Sequence, residues 1–237
     1  MATMTLDELV KQLQAAYGPR LSSVVLYGSA AAGDHVPKKS DYNILVLLDR
    51  IDGDTLAAAS AVARAWREAG NPPPMTMTVG EWRSSSDVFP MEYSDILERH
   101  RVLHGASPVD GITVSREHLR LQLESQAMGK LLQLRQGALL AGTDGKRQIE
   151  LMEASFSTIM VLFRATVRLH GDVPPADNVK LSEQVAVRTR IDPAPFVRIA
   201  RHRRGDAPVQ GSEAGALLIQ YLAGVERLNA YLDTFTL

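Results

Sequence analysis

The sequence predicts an α+β fold: a mixed β-sheet carrying helices over residues 1–108, followed by an all-α helical bundle over residues 109–237. Three observations lead there. Short apolar runs at Val24–Tyr27, Ile44–Leu48 and Met75–Val79 have the length of strands and alternate with helical segments, an order that gives a mixed sheet with helices packed on it. The stretch Gly105–Gly111 is rich in Gly, Ser, Pro and Asp, and beyond it the strand signal fades into long helical patterns. Within that second half, Ile149, Met152, Phe156, Ile159, Met160, Phe163 and Val167 are spaced as one face of a helix.

The elements follow in order. Thr5 and Glu8 form a capping box for a helix carrying Leu6, Leu9, Val10, Leu13 and Tyr17, which Gly18-Pro19 stops. The runs Val24–Tyr27 and Ile44–Leu48 are apolar throughout, so both faces of those strands are expected to be covered. Thr55–Ala69 is helical, with Leu56, Ala59, Val62, Ala63 and Trp66 on its inner face. The three prolines after Asn71 form a rigid connector, and Met75–Val79 alternates with period two as a third strand. Glu81–Ser86 is a short helix or loop, Pro90–Glu98 a helix, and Arg101–His104 a small edge strand. Ser115 caps a helix running to about Leu140, with Leu119, Leu123, Leu131 and Leu132 as its apolar positions. Gly142–Gly145 is a turn before the amphipathic stripe, which Gly171 ends. Asp192-Pro193 reads as a cap with proline at the first helical position. A last helix from Ser212 turns Leu217, Leu218, Tyr221, Leu222, Val225, Leu228 and Leu232 inward, completing an antiparallel bundle.

Composition narrows the function classes. The 237 residues suffice for two modest domains, and 45% hydrophobic with 22% charged residues is ordinary for a globular protein. A formal charge of −1 gives no basic surface for nucleic acid. The absence of cysteine excludes disulfides, thiolate zinc sites and cysteine nucleophiles. The six histidines show no metal-ligand spacing. No apolar run is long enough for a membrane anchor and the N-terminus does not read as a signal peptide, so the expected compartment is the cytoplasm.

The chemistry-bearing stretch lies between the first two strands. An apolar strand ends in Gly28-Ser29, small residues follow at Ala30–Ala32, and Asp41-Tyr42-Asn43 enters the second strand. Gly28 allows close backbone approach, and Ser29 beside helix-start amides makes a phosphate cradle. Asp41 and Asn43, two residues apart on a strand, project from one face.

This pattern resembles that of the DNA polymerase beta-like nucleotidyltransferase superfamily, which includes the aminoglycoside nucleotidyltransferases: an apolar strand ending in Gly-Ser, a spacer, then Asp-x-Asp or Asp-x-Glu in a hydrophobic strand. Gly28, Ser29 and Asp41 match, whereas position 43 is Asn. The resemblance implies a mixed-sheet nucleotidyltransferase domain that binds a nucleoside triphosphate with Mg²⁺ and transfers a nucleoside monophosphate to a hydroxyl acceptor. On that reading Asp41 is catalytic and holds metal, with Asn43 as a second, neutral ligand. Gly28, Ser29, Lys39 and Ser40 contact the nucleotide, Lys39 by steering the triphosphate. The family's third carboxylate belongs on the strand Met75–Val79, which has no acid. Glu81 and Asp87 lie just beyond it. The stretch Phe89–Gly105 also resembles the segment that joins sheet to helices in bacterial nucleotidyltransferase-like proteins.

Three readings remain open from the sequence. The chain is an enzyme acting on a small-molecule or protein acceptor, or a catalytically impaired nucleotide-binding pseudoenzyme, or a regulatory protein whose helical stripe serves a partner or a homodimer. The basic cluster Arg198, Arg201, His202, Arg203 and Arg204 precedes Gly205 at a helix C-terminus, where it suits the helix dipole.

Overall fold

The computed structural model describes residues 4–28, 30–31 and 42–236. The chain forms two compact units, Met1–Val114 and Ser115–Leu237.

The first unit opens with α1 (Leu6–Tyr17), whose capping box is present: the Glu8 amide donates to Thr5 Oγ1 at 3.2 Å and the Thr5 amide to Glu8 at 2.7 Å. Four strands follow, β1 (Leu21–Tyr27), β2 (Asn43–Leu48), β3 (Met75–Thr78) and β4 (His100–Gly105), in the spatial order β3-β2-β1-β4. β1 runs antiparallel to both β2 and β4, and β2 runs parallel to β3, so the sheet is mixed. Its two central strands are buried on both faces. Val24, Leu26, Ile44, Val46 and Leu48 pack with Leu9 and Leu13 of α1 and with Val62 and Trp66 of α2 (Gly53–Glu68). Val25, Leu45 and Leu47 pack on the other face with Trp82 of α3 (Val79–Ser84) and with Tyr93 and Ile96 of α4 (Pro90–Glu98). Removing these side chains from water supplies about 25 cal/mol per Å² of apolar surface, which explains why both strands read as continuous hydrophobic runs.

Two details of this unit depart from the sequence reading. Leu56 is 57% exposed, and Thr55 is the residue that turns inward. The side chain of Asp52 caps α2, accepting the Thr55 amide at 2.8 Å and the Thr55 hydroxyl at 2.5 Å, while Thr55 also accepts from Arg20 at 3.0 Å. A polar residue with three such bonds is a core residue that hydrophobic spacing alone cannot find. The division between units also falls at Val114 rather than at 108. Val109, Ile112 and Val114 pack against the face that holds Trp82, whose indole N–H donates to the Pro108 carbonyl at 2.8 Å.

The second unit contains α5 (Arg116–Ala141), α6 (Gly145–Leu169), α7 (Asn178–Thr189), α8 (Ala194–Arg204) and α9 (Gly211–Asp233). The stripe on α6 from Met152 to Val167 is buried inside this unit. On α5 Leu119, Leu123 and Leu131 are buried as expected, together with Ala127 and Leu134, whereas Leu132 is 50% exposed. α7 has no counterpart in the sequence reading. α8 begins at Ala194, one residue later than the Asp-Pro pattern suggests, with Pro193 at the cap position and the Asp192 side chain accepting the Ala194 amide at 2.9 Å. The basic cluster on α8 is largely engaged within the bundle. Arg198 donates to the carbonyls of Ala207 and Pro208 and to Glu213, Arg204 pairs with Asp177, and Arg203 donates to Ser157 while lying over the Phe156 ring.

Candidate active site

The site begins where β1 ends. Tyr27 sits opposite Asn43 of β2 on one side and opposite His100 of β4 on the other. Residues directly opposite in an antiparallel pair share a face, and this face is the one carrying Val25, Leu45 and Val102, which α4 covers. Tyr93 and Ile96 anchor α4 there: the Tyr93 hydroxyl donates to the Trp82 carbonyl at 2.6 Å, and the two rings stack at 4.0 Å. Burial, with Asp87 adding to it, pushes the Tyr93 hydroxyl up to about 12, which keeps it a neutral donor.

Anchoring α4 by those residues carries Glu92 and Asp95, three apart on the helix, to the end of the strand row. Gly28 has a φ of +77°, and a Cβ placed on it would lie 3.4 Å from Asn43 Nδ2 and 3.5 Å from Asp95 Oδ2. The glycine therefore turns the chain and opens a small space bordered by an amide and a carboxylate. Its own amide donates to the Arg99 carbonyl at 3.0 Å, and the Ala31 amide donates back to the Gly28 carbonyl at 3.1 Å. One amide of the expected phosphate cradle, that of Ala31, is thus already engaged within the protein. The Tyr27 hydroxyl is held above its ordinary range, first by burial and then by the charges of Asp95 and Glu92. The buried Nδ1 of His100, in the same row, has no hydrogen-bond partner among the described residues.

Of the residues singled out in the sequence, the structure brings Gly28 and Asn43 together. Ser29, Lys39, Ser40 and Asp41 lie outside the described residues. β3 carries no carboxylate. Glu81 is committed to the cap of α3, where it accepts the Thr78 amide at 2.7 Å, and Asp87 is exposed. Asp95, in the last turn of α4, also borders this corner, a position that spacing along the strands does not indicate. Among the described residues, no three His, Cys, Asp or Glu side chains converge as a metal site.

No protein-family model and no curated protein sequence matches the chain. A solved structure does: spectinomycin adenyltransferase AAD(9) from Enterococcus faecialis, with ATP and spectinomycin, overlays with a TM-score of 0.61 across 96% of this chain and 98% of that one, at 10% identity. The chain has the nucleotidyltransferase fold. The expected α+β plan, a mixed-sheet nucleotidyltransferase domain followed by helices, is therefore the observed one. A toxin–antitoxin structure with AMP-PNP also aligns, over 57% of this chain and 96% of that one, with 20% identity and a TM-score of 0.30. The corner at Gly28, with Asn43 beside it, lies where β1 ends and β2 begins.

Proposed function

We propose that the chain binds a nucleoside triphosphate with Mg²⁺ at the Gly28 corner and transfers a nucleoside monophosphate to a hydroxyl acceptor. The observation that carries this reading is the convergence of Gly28 and Asn43 on one opening at the end of β1, in a nucleotidyltransferase fold. The relative with ATP and spectinomycin supports a small molecule as acceptor.

The donor set suits Mg²⁺, a hard cation that takes carboxylate and amide oxygens. Asp41 would hold it through its carboxylate and Asn43 through its amide oxygen. Bound there, the metal would neutralise charge developing on the phosphates. Asn43 would offer a neutral amide oxygen, Gly28 keeps the approach clear, and Lys39 and Ser40 would draw the triphosphate toward it.

The test is turnover of labelled nucleoside triphosphates with Mg²⁺ or Mn²⁺ against a panel of hydroxyl acceptors. Transfer that Asp41→Ala abolishes is the expected result. Failure of every triphosphate to bind or react under either metal would overturn the reading. The neutral Asn43 favours a second reading, a nucleotide-binding protein without turnover. That reading is distinguished by triphosphate-dependent thermal stabilisation that neither metal changes and no transfer accompanies.

A further inference from the structure

We infer that the chain forms a two-fold symmetric homodimer, in which an outward apolar stripe on α5 packs antiparallel against the same stripe of a second copy. None of the residues involved belongs to the Gly28 corner, so the inference does not depend on the nucleotide reading.

The stripe of α6 is spent on the interior of the helical unit, but α5 carries apolar side chains on two sides. Opposite its buried positions, Leu121, Met128, Leu132 and Leu139 are between 48% and 83% exposed. At the pitch of an α-helix these four lie within about 20° of one line along its surface. Their spacings of seven, four and seven residues are those of a and d positions in a heptad repeat, with Ser125 and Arg135 completing the seam. A helix that is apolar on both sides belongs in an interior, and a second copy supplies one.

What selects a second copy is the order of the residues, which matches itself when reversed. Leu121 and Leu139 stand nine residues either side of position 130, Ser125 and Arg135 five, and Met128 and Leu132 two. A two-fold interface needs a surface complementary to itself, with residue i meeting j while j meets i. Laid antiparallel about position 130, Leu121 meets Leu139 of the second copy, Met128 meets Leu132, and the small Ser125 leaves room for the long Arg135. Charge agrees with this register. Glu124 and Arg135, with side chains 34% and 51% exposed, lie on one flank of the line and come together across the axis twice. Each such contact links the intrachain pairs Arg120–Glu124 and Arg135–Glu226 into one network. The other flank, with Gln122, Gly129 and Gln136, carries no charge, so no like charges face each other. Gly129 is a poor helix former in mid-helix, and a Cβ there would meet nothing within 4 Å among the described residues. Beside the axis its bare backbone lets the two helices approach closely. The stripe and its flanks present on the order of 500 Å² per copy, so pairing removes about 1,000 Å² from water, the area at which specific interfaces begin.

The experiment uses the full chain. Sedimentation velocity across a dilution series is expected to show a monomer–dimer equilibrium for wild type. Met128→Glu is expected to raise the dimer dissociation constant by about tenfold or more, with the helical circular-dichroism spectrum unchanged. Val187→Glu, at a position 81% exposed on α7, is expected to match wild type. The register is read by oxidation, because the chain has no cysteine of its own. Leu121→Cys mixed with Leu139→Cys is expected to form a disulfide-linked dimer, and neither variant alone, since antiparallel packing sets identical positions about 27 Å apart. Wild type that stays monomeric throughout overturns the inference, whether or not the stripe then adsorbs to anionic lipid vesicles or another protein. A dimer that Met128→Glu leaves intact places the interface elsewhere and also overturns it. Leu121→Cys cross-linking to itself overturns the antiparallel arrangement. If Met128→Glu unfolds, the cross-linking decides alone, and absence of the mixed disulfide overturns the inference.

Discussion

Gly28 shows how much a single residue settles here. Its φ of +77° lies where a side chain is strained, and a methyl group there would approach Asn43 and Asp95 at 3.4 and 3.5 Å. Gly28→Ala is expected to lower stability by about 1–2 kcal/mol, the cost of the left-handed conformation, as read from chemical denaturation of the full chain. Nucleotide binding should fall further than stability does, because the added methyl occupies the opening itself. This residue was legible in the sequence, since a glycine closing an apolar strand before small residues has a physical meaning by itself. Asn43 was legible for a similar reason, as a polar position entering a buried strand. Asp95 was not. Spacing arguments link residues along one element, whereas Asp95 reaches the corner through the docking of Tyr93 and Ile96, a relation that exists only after the sheet has formed.

At the scale of elements, long amphipathic helices and buried strands announced themselves, and α7 did not. Its core face mixes Leu181 and Val185 with Ser182 and Thr189, all buried. Ser182 donates to the Asn178 carbonyl and Thr189 to the Val185 carbonyl, each at 2.8 Å, so their hydroxyls are satisfied within the helix and cost little to bury. Hydrophobic periodicity scores such residues as surface and loses the element. What starts α7 is Asp177, which accepts the amides of Val179 and Lys180 at 2.9 Å and pairs with Arg204 of α8. Burial alone would raise the Asp177 carboxyl, but the Lys180 amide, Arg204 and the Val179 amide together bring it below its ordinary value. Asp177→Ala is therefore expected to destabilise the bundle by about 1–2 kcal/mol at neutral pH, mostly through the lost cap. The sign of the pH effect follows from the depressed carboxyl. The folded state holds the charged form, so its contribution is present above the ordinary carboxylate range and is lost as pH falls through the lowered value. Denaturation curves of wild type and variant should converge in acid.

For the whole molecule, the broad plan of sheet unit followed by helical unit was readable from the change in periodicity near Gly105–Gly111, and the finer boundary was not. Val109, Ile112 and Val114 belong to the sheet because they cover Trp82 and its neighbours, a packing outcome that turn-rich composition obscures. The helical unit has its own interior, with Phe196 between Phe163 and Tyr221 at 4.9 and 4.8 Å. Residues 115–237 produced alone are expected to show a helical circular-dichroism spectrum and one cooperative thermal transition, because local helix–helix contacts supply that core. A fragment without a cooperative transition would contradict the separate interior. In the sheet unit, the pairing of Tyr27 with Asn43 has a consequence for how such a chain can change. The two ends of the intervening stretch are stapled side by side by the ladder, so its closure entropy varies only weakly with its length. Changes in its length therefore leave the scaffold's folding problem almost untouched, at about 0.6 kcal/mol per doubling, and the span between the two strands can grow or shrink while the architecture endures.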